Sequence, residues 1–242
     1  MATAEEMKKL IPKSIKTALR QLISCATWDQ WAQRSWSQEG EDRILRRIFE
    51  RKKDGFYVDV GAHHPERFSN TFMDYKCGWR GINIDAMPGS MSEFNKIRPR
   101  HLNLELGIGE QEGNLDYFVF NEPALNGFSK DLSDERNQAG STYRIESVIK
   151  IDVLPLQQVL DNYLPAGQSI DFMSIDVEGL DFQVLKSNDW KKYRPTYVLA
   201  EILGSSLHEI DQSDIGQFMR ETGYALYAKC RNTVFFKESV SQ

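Results

Sequence analysis

Apolar residues in this chain form short continuous runs separated by stretches with helical spacing. The runs are rich in β-branched and aromatic residues, which predicts buried strands. They cover 56–60, 81–84, 102–108, 148–153, 170–176 and 196–200. Helical spacing between the runs makes strands and helices alternate. Such alternation predicts a mostly parallel sheet with right-handed crossovers, and therefore an α/β fold.

Capping residues place several of the helices. Ser37 is a candidate N-cap, with Glu39, Glu41 and Asp42 in the first turn, where the helix dipole favours carboxylates. Ser213 is a candidate N-cap for a later helix. Further helices are predicted over 69–75, after Pro88, over 156–160 and around 182–185. Two strands, 224–229 and 233–236, then predict an antiparallel hairpin at the end of the chain.

The middle of the chain departs from this alternation. A strand over 115–120 follows the turn residues Gly113 and Asn114, and 121–143 is polar without a sustained period. Long loops in compact domains are usually binding loops, lids or disordered segments. We expect 123–128 to close over a ligand, with a disordered surface loop as the alternative.

The N-terminal segment has its own pattern. Apolar residues from Leu10 to Ile23 recur at helical spacing, and lysine and arginine fill the other face. A basic amphipathic helix of this kind contacts an anionic membrane surface, its own domain or a second subunit. We therefore divide the chain into an N-terminal helical segment, 1–36, and one domain, 37–242.

Composition narrows the class of protein. The chain has 242 residues, 40% of them hydrophobic, which is enough for one sizeable core. A net charge of -5 without a basic stripe argues against a nucleic-acid partner. The three cysteines show no CxxC spacing, and no apolar run reaches the length of a membrane span. We expect a cytoplasmic protein, peripheral to the inner face of a membrane if the N-terminal helix binds there.

Acidic residues stand at or near the carboxyl ends of the predicted parallel strands. They are Asp59, Asp85, Asp176 and Glu201. Ligands of open α/β sheets bind in the crevice at those ends, so we expect these side chains to converge on one site. For any one of them, a helix cap or solvated turn is the alternative.

The turn after the first strand restricts the class of ligand that the site can bind. It reads Gly61-Ala62-His63-His64-Pro65, with a single glycine where a dinucleotide site would carry GxGxxG. Neither a P-loop nor a GxSxG elbow is present. These features favour a cofactor that has a ribose and an adenine but no phosphate.

Four motifs in order resemble one family. Ser37-Gln38-Glu39-Gly40-Glu41-Asp42, Val58-Asp59-Val60-Gly61-Ala62, Ile84-Asp85-Ala86 and Ile175-Asp176-Val177-Glu178-Gly179 are similar to motifs of the FkbM family of S-adenosylmethionine-dependent methyltransferases. The resemblance extends over about 37–236. It implies a class I, Rossmann-like methyltransferase fold with a seven-stranded sheet and a C-terminal antiparallel hairpin. It also implies O-methylation of a sugar of a cell-surface polysaccharide or of a secondary metabolite.

The resemblance also assigns cofactor contacts. Asp59 and Gly61, with Ala62, would border the methionine and ribose, and Asp85, with Ala86, would accept hydrogen bonds from the ribose hydroxyls. The methionine ammonium would meet Gln38, Glu41 or Asp42, and the adenine would lie between Glu105 and Leu106. The acids before the first strand have a second interpretation, as first-turn residues favoured by the helix dipole.

A hydroxyl acceptor must lose its proton during methyl transfer, so the site needs a base or a metal. The candidate bases are Asp176, Glu178, His63, His64 and His208. Alternatively, Asp176 and Glu201 would hold Mg²⁺ or Mn²⁺, which lowers the pKa of the acceptor. A catalytically silent binding module and a nucleoside- or NAD-binding enzyme are the two other classes. The acceptor and the oligomeric state stay open.

Overall fold

The computed structural model describes residues 31–50, 52–204 and 206–239. Contacts between residues divide the chain into two compact units, Met1–Arg34 and Ser35–Gln242, and the second holds nearly all of the described residues. The amphipathic helix predicted from Leu10 to Ile23 lies outside the described residues. Among the residues described, no helix is both long enough and apolar enough to cross a membrane.

The second unit contains ten described strands and eight described α-helices. The strands are β1 (Phe56–Val60), β2 (Arg80–Asp85), β3 (Leu102–Glu105), β4 (Gly107–Ile108), β5 (Gly113–Phe120), β6 (Ile145–Leu154), β7 (Phe172–Ile175), β8 (Tyr197–Glu201), β9 (Tyr224–Cys230) and β10 (Thr233–Glu238). The helices are α1 (Glu41–Ile48), α2 (Phe72–Lys76), α3 (Met91–Ile97), α4 (Lys130–Arg136), α5 (Leu156–Tyr163), α6 (Asp181–Lys186), α7 (Leu207–Gln212) and α8 (Asp214–Glu221), with a 3₁₀ turn at Pro123–Leu125.

The main sheet has seven strands in the order β3-β2-β1-β7-β8-β10-β9. β1 lies at its centre, and Val58 pairs with Ile82 of β2 on one side and Met173 of β7 on the other, both in parallel. β10 is antiparallel to both β8 and β9. The predicted α/β fold, with a mostly parallel seven-stranded sheet and a final antiparallel hairpin, is confirmed.

Side chains of the central strands alternate between two apolar layers. Val58 and Val60 face the larger cluster, which includes Ile84 and Ile175. Tyr57 faces the smaller cluster, beneath α1. Because successive residues of a strand point to opposite faces, this alternation decides which strand-end side chains reach the crevice.

A second sheet of three strands, in the order β4-β6-β5, corrects two predictions. The apolar run 102–108 is not one strand: β3 ends at Glu105, and β4 leaves the main sheet to pair with β6. The strand predicted over 148–153 belongs to β6 and pairs antiparallel with β5 rather than joining the parallel sheet. Apolar patterning predicts strands but does not specify which sheet they join.

The polar stretch after β5 also contains more regular structure than predicted. Within it lie the 3₁₀ turn and α4, and Ser129 caps α4 by accepting a hydrogen bond from the Leu132 N–H at 3.4 Å. Only Ser133 of α4 is buried, so this helix has no apolar stripe that would reveal it in the sequence. Phe118 and Gly127 form a bridge that returns the chain toward β5.

Of the two predicted serine N-caps, one is confirmed and one is wrong. Ser213 caps α8, accepting a hydrogen bond from the Gly216 N–H at 3.1 Å, as predicted. Ser37 is not the N-cap of α1: that position is Gly40, with φ of 97°. The Ser37 hydroxyl instead accepts hydrogen bonds from the backbone N–H groups of Gly40 and Asp42 in the turn before α1.

Candidate active site

The carboxyl ends of the parallel strands open into one cavity of about 370 Å³. Such a volume is within the range of small-molecule sites. The main sheet contributes Gly61 after β1, Asp85 at the end of β2, Asp176 after β7 and Glu201 at the end of β8. Three of the four predicted strand-end acids therefore meet in this cavity.

Asp59, the fourth acid, is not part of the cavity wall. It precedes the last residue of β1 and points to the same face as Tyr57, opposite Val58 and Val60, because strand side chains alternate. Its carboxylate accepts a 2.6 Å hydrogen bond from the Thr71 hydroxyl and is 5% exposed. The structure thus corrects the predicted cofactor contact of Asp59.

The Asp59 carboxylate belongs to a buried polar network centred on Arg98. The Arg98 side chain is fully buried and donates to the Thr71 hydroxyl at 2.8 Å and to the Ser69 hydroxyl at 2.6 Å. It also donates to the carbonyl of Pro65, in the turn that follows Gly61. Through this hydrogen bond the buried network holds the turn after β1 in place.

Gly61 brings the β1 turn against the loop after β7. Its φ is +81°, and a Cβ added there would lie 1.8 Å from the Asp176 carbonyl oxygen. The backbone N–H groups of Gly61 and Ala62 both donate to the Ile84 carbonyl. Only glycine combines this backbone conformation with this approach.

Replacing Gly61 with alanine is therefore expected to destabilise the fold by at least about 2 kcal/mol, because the clash is with backbone and the left-handed conformation is strained. Urea unfolding measures the loss. Gly113→Ala is the matched control, since a Cβ at that position meets nothing within 4 Å. Equal stability of the two variants would contradict this account of the turn.

Asp85 ties the β1 turn to the loop after β2. Its Oδ2 accepts the His63 N–H at 2.8 Å, and its Oδ1 accepts the Met87 N–H at 2.9 Å. Burial raises the pKa of Asp85 to about 6, against the effect of these two N–H donors. A carboxylate offers about four acceptor positions, so Asp85 retains capacity for hydroxyl groups in the cavity.

The residues before β1 divide between the cavity and the protein interior. Gln38 and Glu41 line the cavity. Glu41 accepts a 3.0 Å hydrogen bond from the Thr233 hydroxyl and a 2.9 Å bond from the Glu39 N–H. Asp42 does not reach the cavity. It is fully buried and accepts bonds from the Ser35 hydroxyl and the Trp36 N–H, so its predicted ligand contact is corrected.

Of four further predicted neighbours of the cofactor, two line the cavity and two do not. Ala86 lines the cavity, whereas Ala62 is buried in a small cluster with Met91 and is outside the lining. Leu106 also lines the cavity, and its N–H donates to the Asp85 carbonyl at 3.0 Å. Glu105 is exposed and outside the lining, because it points away from Leu106 at the end of β3. The predicted contacts of Ala62 and Glu105 are corrected.

Three carboxyl groups gather on the β7 and β8 side of the cavity. Burial and the neighbouring charges of Glu201 and Glu178 raise the pKa of Asp176 well above its usual range. Burial also raises the pKa of Glu201 to about 7. Burial raises the pKa of Glu178 as well, opposed by its 2.7 Å ion pair with Arg136. On this side of the cavity, burial therefore favours the protonated forms of all three carboxyl groups.

The three candidate histidines have different positions. His63 lines the cavity with φ of 53°, its Nε2 is buried and has no hydrogen-bond partner among the described residues, and burial lowers its pKa to about 4. His64 also lines the cavity, with its Nε2 3.3 Å from Glu93. His208 is exposed on α7 and outside the lining, so the structure corrects its assignment as a base.

The predicted metal site is not supported. Asp176 and Glu201 do share the cavity, but the described residues contain no group of three or more histidine, cysteine, aspartate or glutamate side chains arranged to hold a metal ion.

Several lining residues were not predicted from the sequence. These are Tyr117 of the second sheet and Asn232 and Thr233 of the final hairpin. Asn126 and Phe128 also line the cavity, and they belong to the 123–128 stretch that the sequence predicted to close over a ligand. The hairpin itself was predicted, so its turn residues could have been placed at the same end as the β8 carboxyl terminus. Nothing in the sequence placed Tyr117 at the cavity, because the three-stranded sheet was not predicted.

Comparison with known proteins now identifies the family. The model of the FkbM methyltransferase domain matches residues 59–226, which is more than half of the chain. The chain belongs to this family, and it is an S-adenosylmethionine-dependent methyltransferase. Neither an NAD-dependent enzyme nor a silent module is therefore supported. A search of curated proteins finds no significant match.

Solved structures with a similar fold are distant. The O-methyltransferase from Bacillus cereus in complex with SAH has 13% identity and a TM-score of 0.41, over 94% of this chain and 91% of that chain. The precorrin-6y C5,15-methyltransferase from Geobacter metallireducens has 12% identity and a TM-score of 0.41, over 85% and 90%. A TehB-like SAM-dependent methyltransferase from Corynebacterium glutamicum has 10% identity and a TM-score of 0.41, over 93% and 98%. Likeness at this level does not bear on the substrate.

Proposed function

We propose that the enzyme transfers a methyl group to a hydroxyl of a sugar, in a cell-surface glycan, or of a secondary metabolite. One observation carries the proposal: a single cavity joins Asp85 and the Gly61 turn to Asp176, Glu178 and Glu201. Asp85 and the Gly61 turn suit a ribose-bearing cofactor. The carboxyl groups of Asp176, Glu178 and Glu201 suit the removal of a proton from an alcohol.

The residues present fit S-adenosylmethionine. Asp85 has acceptor capacity for two ribose hydroxyls, and Gly61 lets the turn beside Asp85 pack closely against the Asp176 carbonyl. Glu41 and Gln38, at the cavity wall, are the candidates for the methionine ammonium. Ala86 and Leu106 provide apolar contact beyond Asp85.

The bound cofactor supplies a methyl group activated by its sulfonium. The protein must align the acceptor oxygen with that methyl, and alignment contributes about 7 to 11 kcal/mol in favourable systems. Asp176 is our first candidate for the proton acceptor, with Glu178 and His63 as alternatives on the same cavity. Burial lowers the pKa of His63 to about 4, which makes it a weak base, whereas burial raises the pKa of Asp176 and so makes its carboxylate more basic.

The part of the cavity wall that we propose contacts the methyl acceptor favours a polyhydroxylated molecule. Asn70, Asn232 and Thr233 offer amide and hydroxyl groups, and Phe68 offers a ring that is 40% exposed. Sugars combine hydroxyl groups with apolar ring faces, and such mixed walls match both.

A transfer assay tests the proposal. The enzyme is incubated with S-adenosylmethionine labelled in the methyl group and with neutral sugars, amino sugars and phenolic metabolites in turn. Base-stable label in a hydroxyl-bearing acceptor supports the proposal. Label that enters only amino groups or carbon atoms of the acceptors would overturn O-methylation while leaving the enzyme class intact.

The pH dependence of turnover follows from the raised carboxyl pKa values. A carboxyl group accepts a proton only when it is ionised, and burial raises the pKa of Asp176 well above its usual range, so kcat is expected to fall as the pH drops, beginning well above about pH 4, the usual pKa of a carboxyl group. A rate profile from pH 5 to pH 9 under saturating substrates measures this. Constant kcat down to pH 5 would exclude a carboxyl group of this cluster as the base.

A further inference from the structure

The loop after β7 carries a strained backbone at Glu178. Its φ is 55°, a left-handed conformation that is uncommon for residues other than glycine, and Gly179 after it has φ of 95°. Such residues persist where the surrounding structure holds them, and they cluster at functional sites. The Glu178 side chain lines the cavity and is 17% exposed. The strained turn therefore places a carboxyl group at the cavity wall.

The helix α4 and the residue pair before it hold this loop. A Cβ added at Gly127 would lie 2.9 Å from the Glu178 Cβ, and one added at Gly179 would lie 3.1 Å from the Cβ of Ser129, the N-cap of α4. At the other end of α4, the Arg136 Nη2 donates to the Glu178 Oε2 at 2.7 Å. Contacts from both ends of α4 thus fix the position of Glu178.

The ion pair between Arg136 and Glu178 is largely shielded from water. The Arg136 side chain is 19% exposed and lies outside the cavity lining. A second ion pair on the same helix, Lys130 with Asp134, is 72% and 55% exposed, and pairs of that kind contribute little. Arg136 therefore reaches the cavity through the Glu178 carboxylate.

Glu178 differs from the other acids of its cluster in having this cation beside it. The titratable groups whose pKa the charge of Glu178 raises are Asp176, Asp181, Glu201 and Tyr117. Arg136 opposes the effect of burial on the pKa of Glu178, whereas the charges that act on Asp176 are those of other acids. Carboxyl groups whose environments differ in this way take different roles in catalysis.

We propose that Arg136 is a positioning residue, whose guanidinium fixes the Glu178 carboxylate as an anion at the cavity wall, where it accepts a hydrogen bond from a second hydroxyl of the methyl acceptor. The inference rests on the proposed function, which assigns proton removal to Asp176. It restricts the acceptor to molecules with two hydroxyl groups close together, a common feature of sugars.

Carbon-13 NMR of protein labelled in the glutamate side-chain carboxyl groups tests the charge of Glu178 without an acceptor. The signal that disappears in Glu178→Gln belongs to Glu178. Arg136→Gln removes the cation and is expected to move the titration of that signal to higher pH, whereas Arg136→Lys should restore most of the wild-type titration. Lys130→Gln removes a cation from the exposed pair on the same helix and should titrate as the wild type does. An unchanged titration of Glu178 in Arg136→Gln would overturn the proposal.

Saturation kinetics test the consequence for the acceptor, with the hydroxyl-bearing compound that gains most label in the transfer assay. At pH 7, Arg136→Gln is expected to raise the KM of this acceptor by about tenfold, the effect of one hydrogen bond to a charged group. Affinity for S-adenosylhomocysteine should stay within about threefold of the wild type. Adding Arg136→Gln to Glu178→Gln should cause no further loss, because Arg136 acts through that carboxylate. A further tenfold loss in the double variant would overturn the positioning role.

Thermal unfolding of each variant checks the fold. If Arg136→Gln is unfolded, Arg136→Met keeps the apolar stem without the charge and is expected to show the same changes. Label that enters only amino groups or carbon atoms of the acceptors would overturn the proposed function and, with it, the bound second hydroxyl. The NMR titration would still decide whether Arg136 holds Glu178 as an anion.

Discussion

Replacing Asp85 with alanine is expected to weaken the binding of S-adenosylhomocysteine by about 100-fold, since each hydrogen bond to a charged group contributes about 1.5 to 3 kcal/mol. The substitution removes the proposed acceptor of the ribose hydroxyls. It also releases the N–H groups of His63 and Met87, which hold the two loops beside the cavity. Calorimetric titration measures the affinity.

Two variants make this result specific. Asp54→Ala removes an exposed aspartate outside the cavity and should bind S-adenosylhomocysteine as the wild type does. Asp85→Asn keeps one acceptor oxygen and should lose less affinity than Asp85→Ala. An Asp85→Ala variant that is folded and retains wild-type affinity would exclude the ribose role of Asp85.

Replacing Asp176 with asparagine is expected to lower kcat by about 100-fold to 10,000-fold, the usual contribution of a positioned base. The amide is nearly isosteric with the carboxylate but does not accept a proton. The backbone of Asp176, which contacts the Gly61 turn, is unchanged. Affinity for S-adenosylhomocysteine should therefore stay within about threefold of the wild type. Saturation kinetics and calorimetry measure the two quantities separately.

Asp181→Asn is the matched control for that substitution. Asp181 is buried close to the same acidic groups, its carboxylate accepts the Glu201 N–H at 3.2 Å, and it lies outside the cavity lining. Its replacement changes a buried carboxyl group of the same cluster without touching the acceptor, so kcat should fall by less than about tenfold. Equal losses in the two variants would indicate that Asp176 acts through the charge of the cluster rather than as the base.

The rule that ligands bind at the carboxyl ends of parallel strands located most of the candidate site from the sequence. Parallel strands end at the same edge of a sheet, and Asp85, Asp176 and Glu201 do meet in one cavity. The rule does not specify which face each side chain takes. Asp59 occupies the opposite face of β1 and serves the buried network around Thr71 instead.

The position of Tyr117 in the cavity could not be predicted from the sequence, for a different reason. Strand patterning predicted β5 and β6, but a pattern of apolar residues does not show that two strands form a separate sheet with β4. Contacts such as Phe128 over Gly107 depend on that long-range pairing. The sequence therefore predicted that 123–128 closes over a ligand, but it did not predict that Tyr117 of β5 lies beside this stretch.

Calorimetric titration of the wild-type protein with S-adenosylhomocysteine and with NAD tests the central claim most directly. We predict saturable binding of S-adenosylhomocysteine that the Asp85→Ala substitution weakens strongly, and no binding of NAD. Tight binding of NAD without binding of S-adenosylhomocysteine would contradict the assignment of this cavity to the methyl donor.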